Sequence, residues 1–254
     1  MFMKDIRLIA LDMDGTLLNT KHKVSEANKE AIIKAREKGV EVIISTGRHL
    51  QTSSKIAKEL DIHYLITVNG SEIWTSTGDL IARQTIDAKV IEKLVALKDE
   101  HKTWAWLSSV DKIWRGEVPE DINAHEWLKF GFDTTTPEMK EKLMETLGGW
   151  EDIELSNSSP TNIEVNAVGV NKAAAIEVVC ERLGITMDQV MACGDSLNDI
   201  KMIQQAGVGV AMGNAQEAVK KAADWSTATN NDDGVAKAIE KFVLKNAEIS
   251  ENKI

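Results

Sequence analysis

The chain is poor in the residues that would place it outside the cell, in a membrane or on nucleic acid. It has two cysteines in 254 residues, Cys180 and Cys193, which read as small buried hydrophobes in a reducing compartment. No apolar run is long enough to cross a bilayer, and Asp5 and Arg7 interrupt the first one, so neither a signal peptide nor an anchor is expected and a cytoplasmic location is. Positive charge is in deficit: 30 Lys and Arg stand against 40 Asp and Glu, giving a net charge of −10. That argues against nucleic-acid or anionic-membrane partners, which are held by Lys and Arg neutralising phosphates. The five histidines form no His-x-x-x-His or His/Cys pairing of the zinc type. There are no repeats, low-complexity linkers or coiled-coil heptads. At roughly 100 to 200 residues per domain, two domains are expected, and 43% apolar residues suffice for their cores.

What the chain does have is a pair of carboxylates at the end of an apolar strand. Asp12-Met13-Asp14-Gly15-Thr16 follows the run 6–11, and in open α/β sheets the crevice outside the strand carboxyl ends is where ligands bind. A calcium loop numbered from Asp12 needs Gly at its sixth position and Glu at its twelfth, where Leu17 and Lys23 stand. A structural turn would use the same residues, but two other segments repeat the geometry. The run 40–45 leads to Thr46-Gly47-Arg48, and the run 190–193 leads to Gly194-Asp195-Ser196-Leu197-Asn198-Asp199. A helix opening at Asn171-Lys172 places a cation in its first turn, against the macrodipole. Alone, Lys172 reads as a surface residue; beside an anion its placement makes sense.

In this order, Asp12-x-Asp14-Gly15-Thr16, Thr46-Gly47-Arg48, Lys172 and Gly194-Asp195-x-x-Asn198-Asp199 resemble the four motifs of the haloacid dehalogenase superfamily. The long gap between the second and third resembles the Cof-type phosphatases of subclass IIB. Asn69-Gly70 and Ala211-Met212-Gly213-Asn214-Ala215 also match that family's habit. The resemblance implies an α/β fold with a Rossmann-like parallel-sheet core and an inserted α/β cap. It implies Asp12 as nucleophile, Asp14 as acid and base, and phosphate held by the Met13 amide, Thr46, Gly47, Lys172 and Asn198. It implies Mg²⁺ held by Asp12, Asp195 and the Asp14 carbonyl, with Asp199 orienting Lys172 or a metal water. Members that cleave carbon–halogen bonds lack the second Asp, so Asp14 favours phosphoesters. Arg48 reads equally as a surface ion-pair partner or a substrate contact.

The motifs leave residues 83–168 outside the core formed by 1–82 and 169–254. This block reads as a helix from Asp87 to Glu100, strands around 103–107 and 112–115, further helical stretches and a helix from Thr136-Pro137, where Thr then Pro is a start signal. It holds all three prolines and five of the seven tryptophans. Trp104, Trp106, Trp114, Trp127 and Trp150 invite a reading as stacking surfaces for a sugar or ring, but packing roles in a small sheet are favoured. Arg115, Lys129 and His125 are candidates for the non-phosphate end of a substrate, against a reading as solvated surface residues. The expected activity is Mg²⁺-dependent hydrolysis of a sugar phosphate or other small phosphorylated metabolite through an aspartyl-phosphate. A phosphomutase returning the phosphoryl group to a sugar, and a phosphoryl-accepting signalling protein, are the alternatives.

Overall fold

The protein is described by a computed structural model over residues 5–245. The larger sheet is built from β1 (Leu8–Leu11), β2 (Glu41–Ser45), β3 (Tyr64–Thr67), β4 (Glu72–Thr75) and β5 (Leu80–Arg83), then β11 (Val190–Gly194), β12 (Val208–Ala211) and β13 (Trp225–Ser226). Its order is β13-β12-β11-β1-β2-β3-β4-β5. The pairs from β13 to β3 are parallel, and β4 and β5 extend it as an antiparallel hairpin. All four residues of β1 are buried; since alternate side chains point to opposite faces, both faces of the sheet are covered there. This is the α/β parallel-sheet core expected from the sequence.

Local signals set the helices around it. In α1 (Glu26–Glu37) the Ser25 hydroxyl caps the first turn by accepting from the Asn28 amide at 3.2 Å, and Ala31, Ile32 and Ala35 on one face are buried. It packs against α8 (Gly234–Ile239), which runs on as a π-helical turn, Glu240–Leu244. In α5 (Lys172–Leu183) the Asn171 side chain accepts from the Ala174 amide at 3.0 Å. The cap satisfies a donor that the helix end leaves unpaired.

The second sheet is antiparallel, with order β7-β6-β8-β10-β9. Its strands are β6 (Trp104–Ser109), β7 (Ile113–Arg115), β8 (Trp127–Asp133), β9 (Ile153–Ser156) and β10 (Asn162–Ala167). With α3 (Ala88–His101) and α4 (Pro137–Leu147) it encloses a hydrophobic core of its own, including Leu94, Leu107, Phe130, Phe132, Leu143 and Val165.

Three expectations change here. The segment expected to hold helical stretches before Thr136 contains β8, the middle strand of this sheet. Six of its seven residues are buried, and a strand covered on both faces loses the alternation that would distinguish it from a helix. Lys129 is no surface residue but is buried on β8. The packing role holds for Trp127, which is buried, and for Trp114 and Trp150, which pack against the small core. It fails for Trp104 and Trp106. They alternate along β6 with buried Ala105 and Leu107, so they project from the opposite face of the sheet, and Trp104 is 47% exposed.

Candidate active site

β11, β1 and β2 are neighbours and parallel, so the residues after their carboxyl ends meet at one place. Lys172, fully buried at the start of α5, donates to Asp12 Oδ1 and to Asp199 Oδ1, both at 2.6 Å. The other Asp199 oxygen accepts from the amides of Asp195 and Ser196 at 2.9 and 3.0 Å. Asp195 accepts from the Thr16 hydroxyl at 3.1 Å and the Ser196 hydroxyl at 3.2 Å. One carboxylate oxygen each from Asp12, Asp195 and Asp199 lies within 4.8 Å of the others.

Three carboxylates thus share one ammonium. Burial, opposed by Lys172 and reinforced by Asp199 and Asp195, pushes the Asp12 carboxyl well above the usual carboxylate range. Burial and then the charge of Asp199 push Asp195 up to about 6. For Lys172 burial acts downward, but Asp12 and Asp199 outweigh it and raise the ammonium pKa. The site is therefore short of positive charge. Asp199 is held by three hydrogen bonds, from Lys172 and two amides, while Asp12 and Asp195 have hard oxygens to offer. That donor set fits a hard divalent cation such as Mg²⁺. Cys193, at the end of β11, is held neutral with its thiol pushed up to about 12 by burial and Asp199, so it offers no thiolate nucleophile.

Met13 is fully buried, so only its backbone can face a ligand. Asp14 and Arg48 meet in a bidentate pair, Arg48 Nε and Nη2 donating to the two carboxylate oxygens at 2.6 and 2.5 Å. Of the two readings of Arg48, the ion pair is the one formed, and its partner belongs to the site. The Thr46 hydroxyl accepts from the Arg48 amide at 3.1 Å. Asp12, Asp14, Thr46, Gly47, Arg48 and Asn198 all line one cavity of about 320 Å³. Arg115 does not reach it; it lines a second cavity with Trp104 and Trp106. His125 stands apart as well, between the Trp114 and Trp127 rings.

Several residues at this cavity carry no role in the sequence reading. Glu164, on β10, accepts from Asn69 Nδ2 at 2.6 Å, from the Ser158 hydroxyl at 3.0 Å and from Lys129 Nζ at 3.3 Å. Burial acts to raise its pKa, yet Lys129, Asn69 and Ser158 together hold it below the ordinary value. Lys129 also donates to the Gly47 carbonyl at 2.8 Å, and Asn198 donates to Asn69 at 3.2 Å. The small sheet is thus wired to the loops after β2, β3 and β11. Asn69 follows Val68, whose φ of 51° is costly for a β-branched residue; the Val68 carbonyl accepts from Asn166 Nδ2 at 3.0 Å. The available signals were Lys129, already a substrate candidate, inside the apolar run of β8, and the alternation of Asn162, Glu164 and Asn166 with apolar residues along β10.

The sequence profile of the haloacid dehalogenase-like hydrolases matches residues 9–142 and 117–239. The chain is 54% identical over 241 residues, 94% of its length and 97% of the relative's, to the 5-amino-6-(5-phospho-D-ribitylamino)uracil phosphatase YcsE of Bacillus subtilis strain 168. A haloacid dehalogenase-like hydrolase of B. subtilis superposes with a TM-score of 0.86 at 28% identity, covering 92% of this chain and 99% of that one. The subclass IIB sugar phosphatase BT4131 does so with a TM-score of 0.82 at 25% identity, covering 93% and 98%.

Proposed function

We propose, from the premise that the chain belongs to the haloacid dehalogenase-like hydrolase family and is a phosphatase of small phosphorylated metabolites, that it hydrolyses phosphomonoesters through an aspartyl-phosphate on Asp12. The observation that carries this is Asp12 itself, a carboxylate at the end of a central strand, hydrogen-bonded at 2.6 Å to a fully buried Lys172 and opening on the 320 Å³ cavity.

Phosphoryl transfer asks for in-line positioning and for neutralisation of spread negative charge. The Met13 and Gly47 amides, the Thr46 hydroxyl, Asn198 and Lys172 hold the phosphate oxygens. The free oxygen of Asp12 attacks phosphorus, and the bond to the leaving oxygen breaks. Asp14 exchanges Arg48 for that leaving oxygen and protonates it. Water then attacks the phosphoenzyme, gives its proton to Asp14, and phosphate leaves as the bond to Asp12 breaks. Asp12, Asp195 and the Asp14 carbonyl would hold Mg²⁺, which would supply the positive charge that keeps the carboxylates and the phosphate together. Asp199 takes no part in the chemistry and fixes Lys172. In this reading residues 1–82 and 169–254 form the catalytic part, and 83–168 the cap that reads the leaving group.

The 54% identity to YcsE supports 5-amino-6-(5-phospho-D-ribitylamino)uracil as the substrate. The test is phosphate release from this ester with Mg²⁺ and with excess EDTA. The reading expects many turnovers with Mg²⁺ and none in EDTA. Full activity in EDTA overturns the metal requirement, and release of no more than one phosphate per enzyme overturns the hydrolase.

A further inference from the structure

Tryptophan is expensive to leave in water, and the two indoles on the open face of β6 have no core to enter. They are nevertheless seated. Trp106 lies over Gly131 of β8, where a Cβ would come within 2.1 Å of its Cε2 atom. Trp104 lies beside Gly116, where a Cβ would stand 2.7 Å from its Nε1 and where φ is +73°. Any other residue at position 131 would push the Trp106 indole off the sheet. The two rings, 6.0 Å apart between centroids and tilted by 34°, form one aromatic surface. It walls a cavity of about 410 Å³ that shares Gly47 and Arg48 with the catalytic cavity.

Of the polar side chains around this wall, Arg48 is paired with Asp14, Lys129 with Glu164 and the Gly47 carbonyl, and the Thr52 hydroxyl donates to the His49 carbonyl, which leaves Arg115 and the Ser108 hydroxyl to donate to a ligand. Among the described residues lining it there is no carboxylate. A cationic ring would find aromatic faces but no carboxylate in the wall, and Arg115, the one cation there not paired with a carboxylate among the described residues, against it. A neutral planar ring bearing carbonyl oxygens would find faces to stack on and donors at its rim. The ring must also lie at a distance from the phosphate, because the catalytic cavity is a separate space joined only at its edge.

We propose that Trp104 and Trp106, seated on Gly116 and Gly131, form the stacking platform for the leaving group's ring, a neutral carbonyl-bearing nitrogen heterocycle carried on a flexible polyol chain from the phosphate. The proposal rests on the phosphomonoesterase reading and names what that site recognises. The platform stands on strands of the small sheet, so it holds the ring while the strand ends of the large sheet act on the phosphate.

The experiment compares 5-amino-6-(5-phospho-D-ribitylamino)uracil with ribitol 5-phosphate, the same chain without the ring, for the wild type, Trp106→Leu, Trp106→Phe and Gly131→Ala. In Trp106→Leu and Gly131→Ala the ratio of kcat/KM between the two esters should fall roughly tenfold or more, the scale of one lost ring stack. The loss should lie mainly in KM, and Trp106→Phe should retain most of the preference. A ratio that stays at the wild-type value in Trp106→Leu, or equal losses on both esters, overturns the proposal and leaves the indoles as strand packing. A titration of wild type and Trp106→Leu with the dephosphorylated ribitylaminouracil, followed by tryptophan fluorescence, needs no turnover. Quenching that saturates in wild type and weakens at least tenfold in Trp106→Leu upholds the platform even if neither ester is hydrolysed; absence of quenching in wild type rejects it even if both are.

Discussion

The large and the small sheet each bury a lysine against carboxylate, and the two lysines are built differently. Lys172 meets Asp12 and Asp199 at 2.6 Å each, and all three come from separate segments that converge past strand ends. Lys129 meets Glu164 at 3.3 Å across neighbouring strands and spends its shorter bond, 2.8 Å, on the Gly47 carbonyl. The first arrangement concentrates charge where a phosphate can be attacked. The second registers the small sheet on the loop that borders the phosphate cavity, with Trp104, Trp106 and Arg115 beside it. On the proposed reading, chemistry sits at the ends of one sheet and selection along the face of the other, and substitutions in the two places should differ in kind.

The largest effect should come from Asp12→Asn. The amide keeps the shape and loses the nucleophile, so turnover should fall on the order of 10⁵-fold for every ester, with substrate ratios and the thermal midpoint kept. An Asn variant that still turns over would move the nucleophile elsewhere. Lys172→Met leaves buried carboxylates unpaired, and removal of one partner from a buried ion pair costs about 3–5 kcal/mol. Urea unfolding in EDTA should show a loss of that size; a loss under about 1 kcal/mol would mean that the carboxylates are neutral without it.

Asp14→Asn should separate leaving groups. Loss of a general acid costs roughly 10²–10⁴-fold where an alkoxide departs and much less for p-nitrophenolate, which leaves without a proton. The comparison belongs in the phosphorylation step, read by single-turnover kinetics, because dephosphorylation uses Asp14 for both. Equal losses there would remove the acid role. Arg115→Ala should be the mildest, on the order of tenfold in kcat/KM for an ester with acceptors at its far end, as for one charged hydrogen bond, with no change in metal requirement. Relative kcat/KM values that do not move across a panel of esters would take Arg115 out of selection.

The same contrast explains what the sequence disclosed. Apart from Lys172, which opens a helix, the residues expected at the phosphate and the metal stand within a few positions of a strand end, where apolar runs stop and small or acidic residues begin, so Asp12, Thr46, Asp195 and Asn198 can be found one strand at a time. The cap site has no such signature. Lys129 faces Ser108 and Gly131 faces Trp106 only because β6 pairs with β8 in one register, and β8 itself looks helical or featureless when both its faces are buried. Gly131 is informative only once an indole is seen above it. Asn69 was visible as a residue after a strand, but its work, joining Glu164 to Asn198, exists only where the two sheets meet.

Two successive in-line displacements at phosphorus are the claim on which the core account depends, and their stereochemistry reports them directly. An ester made chiral at phosphorus with ¹⁶O, ¹⁷O and ¹⁸O, hydrolysed with a thiol or alcohol acceptor so that the product stays chiral, gives retention when the phosphoryl group passes through Asp12. Inversion would mean one direct displacement with no aspartyl-phosphate, and would contradict the account.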